Sequence, residues 1–417
     1  MRASTSTAAG LAMMLALATL TIGARPLWPL AAVQCGLFAF AIAWTGAVAL
    51  GRTPWRGSGW LAAFALIPLW GVAQLLAQRT AYGADTVVSI LHWTALLSIF
   101  LLGVHTFDEA GRGVFLRLFL GFGVAAALMA LLSPYLPREV ALKVFPADKD
   151  FAGPFQNRNN YAAFALLVIP VAAWHGLDAR GRSWAGWAAA ALLYATVIGS
   201  GSRAGAVLAT IEAFAILAAA RLQGVSPKRL AAGALSFAVL GTAFTFVAGW
   251  ELLWERLRFS DPLEYRREIY RSALAMIAEE PWIGFGLGTF ATVYPRFAMF
   301  DSGLFVNYAH NDWLQWAAEG GVGMAALIAA LVAALAPRAV RSVWGLGVLF
   351  VALHALVDFP MQRLGVAGWA IALCAALAAY EPREWGRARG RAGKPAPLHE
   401  QLPGQHHGQV HQRLAAE

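Results

Sequence analysis

Runs of about twenty predominantly apolar residues recur from one end of the chain to the other. A bilayer core of roughly 30 Å takes about 20 residues of helix to cross. Runs of suitable length lie near 8–23, 27–50, 59–78, 86–104, 113–133, 160–175, 184–200, 203–220, 230–250, 311–336, 342–359 and 364–380. They predict an all-α, polytopic membrane protein with about 12 transmembrane helices. The first run follows a single weak basic residue, Arg2, and reads as a retained helix rather than the apolar part of a leader. Two connections are long, 134–159 and 251–310, and the second is the largest hydrophilic part of the chain. Within it, Glu264 to Glu280 reads as a short helix ending before Pro281, after which Gly284, Gly286 and Gly288 interrupt the chain. A large loop containing a short helix is therefore expected between helices 9 and 10, and connections of that length are usually functional. Residues 1–380 read as one transmembrane domain and 381–417 as a basic, disordered tail. The tail histidines, His406 and His407 among them, read as low-complexity sequence rather than a metal site.

Composition agrees with this pattern. Hydrophobic residues make up 59% of the 417 and charged residues only 13%, against roughly 25% charged in an ordinary soluble domain. Mean hydropathy is +0.57. A soluble chain this apolar would lack polar surface to cover itself, so membrane lipids are its expected surroundings. The net charge of +9 does not indicate nucleic acid, because no basic groove interleaved with aromatics accompanies it. Much of the excess lies in short connections and in the tail. With the N-terminus on the cytoplasmic side, the inner connections hold Arg52, Arg56, Arg112, Arg180, Arg182, Arg221, Lys228, Arg229, Arg338 and Arg341. The short outer ones hold only Arg25, Arg79, Arg203 and Arg363. The positive-inside rule then puts both termini in the cytoplasm and both long connections on the outer side. Cys35 and Cys374 lie in apolar runs, with no disulfide framework or metal-ligand spacing.

Candidate chemistry gathers at the outer end. The long loop holds Arg256, Arg258, Arg266, Arg267, Arg271 and Arg296. Singly they suit a solvated face or membrane contact; together, beside the mouth of a membrane domain, they suit an anionic ligand. Arg266 and Tyr270 are four apart and share a helical face. Arg203, in Gly199-Ser200-Gly201-Ser202-Arg203-Ala204-Gly205, sits at a helix N-terminus among small residues, where free N–H groups and a guanidinium form either an anion site or a snorkelling end. His310 opens a helix in Asn307-Tyr308-Ala309-His310-Asn311-Asp312. It suits proton transfer or a structural interfacial role, and Asp312 suits a cap or first-turn acid. His354 and Asp358 are four apart in an apolar run, so they either bond to each other to stabilise the bundle or serve function. The polar run Asn157-Arg158-Asn159-Asn160 either caps the next helix or lines an outer cavity.

These segments, in their order, resemble the O-antigen ligase and O-antigen polymerase superfamily of bacterial envelope proteins. The matching pieces are Gly153-Pro-Phe-Gln-Asn-Arg-Asn-Asn160, Gly201-Ser-Arg-Ala-Gly205, Arg266-x-x-x-Tyr270, Pro281-Trp-Ile-Gly-Phe-Gly-Leu-Gly-Thr-Phe290, His310-Asn-Asp312 with Glu319-Gly-Gly-Val-Gly323, and His354 to Asp358. They cover about 150–360 by motif. Tyr270 stands where the family usually carries tryptophan. The resemblance implies a metal-independent glycosyltransferase without cofactor, in the bacterial inner membrane, using an undecaprenyl-diphosphate-linked glycan as donor. In the ligase branch lipid A–core oligosaccharide is the acceptor, on the periplasmic face. It implies His310, Arg266 and Arg203 as catalytic, with Arg203 and Arg266 neutralising diphosphate. Substrate binding would fall to Asn157, Arg158, Asn159, Arg267, Tyr270, Arg271, Asn311, Asp312, His354 and Asp358. Polymerases and protein O-oligosaccharyltransferases share the donor and differ in acceptor. A lipid-linked glycan transporter is the reading outside this class. No internal repeat of the kind transporters carry is visible.

Overall fold

The computed structural model describes residues 3–22, 27–55, 58–135, 154–155, 157–177, 183–258, 265–299, 303 and 305–380. Most of the first long connection and the whole basic tail lie outside the described residues. Every regular element described is helical. In chain order they are α1 (Ala3–Ile22), α2 (Leu27–Ala49), α3 (Gly59–Leu76), α4 (Gly83–Thr106), α5 (Glu109–Leu132), α6 (Arg158–Gly176), α7 (Ser183–Gly199), α8 (Arg203–Leu222), α9 (Pro227–Ala248), α10 (Glu251–Leu257), α11 (Arg266–Glu279), α12 (Phe290–Phe297), α13 (Asp312–Ser342), α14 (Leu346–His354) and α15 (Leu364–Ala378). Single 3-10 turns lie at Ser133–Tyr135 and Pro360–Gln362.

Among the described residues, eight helices are long and apolar enough to cross a membrane: α1 to α5, α8, α9 and α13. α7 and α15 are apolar but shorter. The bundle centres on α6, which is buried from Asn160 through Ala173 and packs against α5, α7, α8, α14 and α15. Trp369 of α15 is fully buried, stacks on Phe119 with ring centroids 4.5 Å apart and meets Phe164 edge-on. A helix buried all round reads as a continuous apolar run, which is how α6 and α15 read. α1 is built into the same core: Thr19 accepts a hydrogen bond from the Trp369 indole and donates to the Gly365 carbonyl.

Two of the expected helices depart from simple spans. The run 342–359 is not one helix. The chain is helical only over Leu346–His354 and then unwinds into the turn that carries Asp358. Unwinding frees backbone carbonyls that must find other donors. Ala355 O accepts from Asp312 N at 2.8 Å, and Val357 O accepts from the Arg266 guanidinium at 2.8 Å. The second departure is in α13, whose backbone breaks at Gly321 (φ 79°, ψ 168°). That conformation is essentially closed to residues with a Cβ. A Cβ there would also collide with the Trp282 carbonyl.

The break at Gly321 is where the segment between α9 and α13 docks. The stretch Pro281–Phe290 lies against it, with Phe285 N donating to Ala318 O, Gly286 N to Glu319 O and Val322 N to Pro281 O, all within 3.0 Å. The buried Glu319 carboxylate accepts from Gly288 N (2.9 Å), Phe290 N (3.2 Å) and the Gln315 amide (2.9 Å). Gln74 of α3 binds that stretch through Ile283 O and Leu287 N and binds α13 through Glu319 O. The glycine-rich stretch is thus a lock between α3, α13 and the short helices, and it sets where α11 and α12 sit.

Candidate functional site at the His310 end of the bundle

The site begins with α11. Its residues Ile269, Ala273 and Met276 recur at helical spacing and pack against Phe290, Val293 and Tyr294 of α12, Ala309 just before α13 and Ala318 within it. Anchoring that stripe turns the neighbouring face, Arg266 and Tyr270, toward the turn after α14. There Arg266 donates to Val357 O and lies 3.9 Å from the Asp358 carboxylate, with its side chain 27% exposed and that of Asp358 1%. Arg267 and Arg271 take the exposed side of α11, where Arg271 pairs with Glu268 at 2.7 Å. Position on the helix separates three arginines of one short helix that are chemically alike.

His310 lies just before α13, whose N-cap is Asn311, the side chain of which accepts from Leu314 N at 3.0 Å. His310 has φ 51°, a left-handed value uncommon outside glycine. Its carbonyl accepts from the Tyr270 hydroxyl at 2.9 Å. Its Nδ1 lies 3.6 Å from Asp358 Oδ1, and its ring meets Phe359 edge-on at 4.9 Å. The Asp358 carboxylate thus lies between an imidazole and a guanidinium, and also accepts from Phe359 N at 2.9 Å. Burial works to raise its carboxyl, but His310, Arg266 and His354 outweigh that and hold it below the ordinary carboxylate range. The Tyr270 hydroxyl is pushed up, first by burial and further by Asp358, against the opposing pull of Arg266, so it stays a donor.

Asp312 is fully buried and clamps the turn: its carboxylate accepts from Met361 N and from the Gln362 amide, both at 2.9 Å. Met361 O is held in turn by His92 of α4 at 3.0 Å. His354 is fully buried, and neither ring nitrogen has a hydrogen-bond partner among the described residues. The bond from His354 to Asp358 that a four-residue spacing allows does not form.

The remaining expected residues form a second group where α6 and α8 begin. Asn157 caps α6 through Asn159 N at 2.8 Å, and Asn159 accepts from the Ser202 hydroxyl at 2.8 Å. Ser202 caps α8 through Gly205 N, and a Cβ on Gly205 would collide with Ala162. The Gly-Ser-Arg-Ala-Gly motif is therefore a capped start for α8 pressed onto α6. It leaves Arg203 as the first residue of that helix, half-buried, its guanidinium 3.4 Å from Arg256 O of α10. Arg158 begins α6, half-buried. No side-chain hydrogen bond or ion pair among those described joins this group to the Arg266–His310–Asp358 cluster. Both rest on the same packed set, α6, α8 and α14.

Sequence reasoning overlooked Gln74, and it treated Glu319 as motif rather than as the carboxylate that holds the lock. Both were open to detection as lone polar side chains within apolar helices, which are costly unless partnered. Tyr308, Phe359 and Arg363 left no such trace. Beside α8, an apolar cleft of about 710 Å³ opens between α7, α8 and α9, lined by Trp187, Tyr194, Phe214, Phe237, Phe246 and Trp250. Among the described residues, no three His, Cys, Asp or Glu side chains gather as a metal cage.

Residues 187–329, from within α7 to within α13, match the family model described as O-antigen ligase. No curated protein matches the chain. The apolar helices make the chain a multi-pass membrane protein by length and composition, and over the matched segment it is similar to that family.

Proposed function

From the similarity of residues 187–329 to the O-antigen ligase family, we infer that this chain transfers a glycan from undecaprenyl diphosphate to lipid A–core oligosaccharide on the periplasmic face of the inner membrane. The observation that carries the reading is the meeting of Arg266, His310 and Asp358, three residues 44 to 92 positions apart in the sequence, at one end of the bundle. The acceptor hydroxyl attacks the anomeric carbon while the bond from that carbon to the diphosphate oxygen breaks. Charge grows on the leaving diphosphate, and fixed guanidinium groups in a partly dry site stabilise such charge best. Arg266 serves this role, with Arg203 the second cation. His310 takes the proton of the attacking hydroxyl. Asp358 holds both partners, orienting the imidazole and the guanidinium. In-line attack inverts the anomeric centre. The cleft between α7, α8 and α9 suits the polyprenyl chain, because its lining is almost wholly apolar. No step in this scheme calls on a metal or a nucleotide sugar.

The test is transfer by purified protein with undecaprenyl-diphosphate glycan and two acceptors offered separately, lipid A–core and a second lipid-linked glycan. Product on lipid A–core alone is expected. Chain growth on the lipid-linked glycan would make the protein a polymerase, and product on neither would overturn the reaction. Arg266→Ala, Arg203→Ala and His310→Ala are each expected to lower transfer by about 10²-fold or more with normal membrane insertion. Unchanged transfer in all three would refute the site.

A further inference from the structure

On the far side of Asp358 in sequence, the turn continues through Phe359 to Arg363. Phe359 stacks on Tyr308 with ring centroids 4.5 Å apart. The Arg363 guanidinium lies against both rings, 5.0 Å from the Tyr308 centroid and 5.6 Å from that of Phe359. Such contacts hold a cation in place without using its N–H groups. No acidic side chain among the described residues pairs with Arg363, and the Tyr308 hydroxyl has no hydrogen-bond partner among them. Both side chains are half-buried and so reachable. The same Phe359 ring touches the His310 imidazole. His310 therefore has two flanks, one formed by Asp358 and Arg266 and one formed by Phe359, Tyr308 and Arg363.

We propose that Arg363, seated on Tyr308 and Phe359, is an anion-binding subsite for the acceptor saccharide. The proposal rests on the transfer reaction above, in which Arg266 meets the leaving group and His310 the attacking hydroxyl. With the diphosphate on the Arg266 flank, the acceptor approaches by the other. An unclaimed planar fork there selects phosphate or carboxylate oxygens, which it binds in pairs. The adjoining aromatic surface and free hydroxyl suit the C–H faces and hydroxyls of a sugar ring. The ligand class is thus a saccharide carrying an anionic group close to the hydroxyl that reacts.

The experiment titrates two probes into the purified full-length protein in detergent micelles: a lipid-free core-type oligosaccharide bearing phosphate, and the same oligosaccharide after phosphatase treatment. The wild type is expected to bind the phosphorylated form on the order of tenfold more tightly. Arg363→Ala and Arg363→Gln are both expected to erase that preference while the KM for the lipid-linked donor stays the same. Equal binding of the two forms by the wild type, or a preference that survives in both variants, overturns the subsite. Inorganic phosphate competing as well as the oligosaccharide overturns its saccharide half. A shift in the donor KM in both variants assigns Arg363 to the donor and overturns the acceptor role. The titration needs no turnover. A wild type that shows the preference but transfers to neither acceptor therefore refutes the proposed reaction and still supports the subsite.

Discussion

Asp358 touches more of the candidate chemistry than any other single residue. Its carboxylate lies 3.6 Å from the His310 imidazole and 3.9 Å from the Arg266 guanidinium. Its peptide neighbour Val357 accepts the short bond from Arg266. Asp358→Asn keeps the size and removes the charge that orients both groups. Transfer is expected to fall about 10²-fold, read as kcat with donor and acceptor saturating. A fall in stability accompanies it, with a defined pH dependence. A carboxyl held low in the folded state stabilises above the ordinary unfolded value near 4 and loses that contribution as pH falls through the folded value. The difference in thermal inactivation between wild type and Asp358→Asn should therefore be flat from about pH 5 to 8 and shrink below about pH 4. A difference that changed through neutrality would mean Asp358 is not the charged partner. Tyr270→Phe isolates another contact: it removes only the bond to the His310 carbonyl. It should destabilise by about 1 kcal/mol and lower kcat more than it alters either KM, since it acts through the placement of His310.

Motif residues take their meaning from the helices and turns they join. Asn157 and Asn311 read as candidate polar contacts, and the structure uses each as an N-cap, as it does Ser202. The bland reading of those residues accounts for their side chains, and what they contribute to the site is the fixed start of α6, α8 and α13. The glycine-rich stretch 281–290 has a similar part. It reads as a chain break, yet its amides close on Glu319, and the break it fits is the one at Gly321 in α13. Gly321→Ala forces a Cβ into a backbone region that costs about 1–3 kcal/mol and into the Trp282 carbonyl. A loss of roughly 3 kcal/mol is expected, visible as a lower midpoint in thermal unfolding. Loss of transfer should come with it, because α11 carries Arg266. Full stability in this variant would show that the lock does not hold the segment.

For the whole molecule, the apolar helices and the family match agree on a membrane protein, and the basic residues of the connections bear on its direction. If both termini are cytoplasmic, a protease added outside spheroplasts should spare tags at either end and cut a site placed at the exposed Asn307. Cleavage of either terminal tag would invert the proposed topology. The fold was legible in the chain wherever burial in lipid is a sum over neighbouring residues. Apolar free energy accumulates locally, so α1 to α5, α8, α9 and α13 are visible as runs without knowing what they touch. Legibility failed in 342–359, equally apolar on average, because its carbonyls leave the helix to meet Asp312 and Arg266 from elsewhere in the chain. The site divides in the same way. Arginines, a histidine and an aspartate in polar breaks of an apolar chain announce chemistry in the sequence. Which arginine faces Asp358 depends on how the Ile269, Ala273 and Met276 stripe packs. Whether His354 bonds to Asp358 depends on where the helix ends. Seating Arg363 on two aromatic rings takes a turn that brings residues 308 and 359 together. Those outcomes turn on contacts between distant segments, whose geometry is set by close packing of the assembled bundle and not by the preferences of any one stretch.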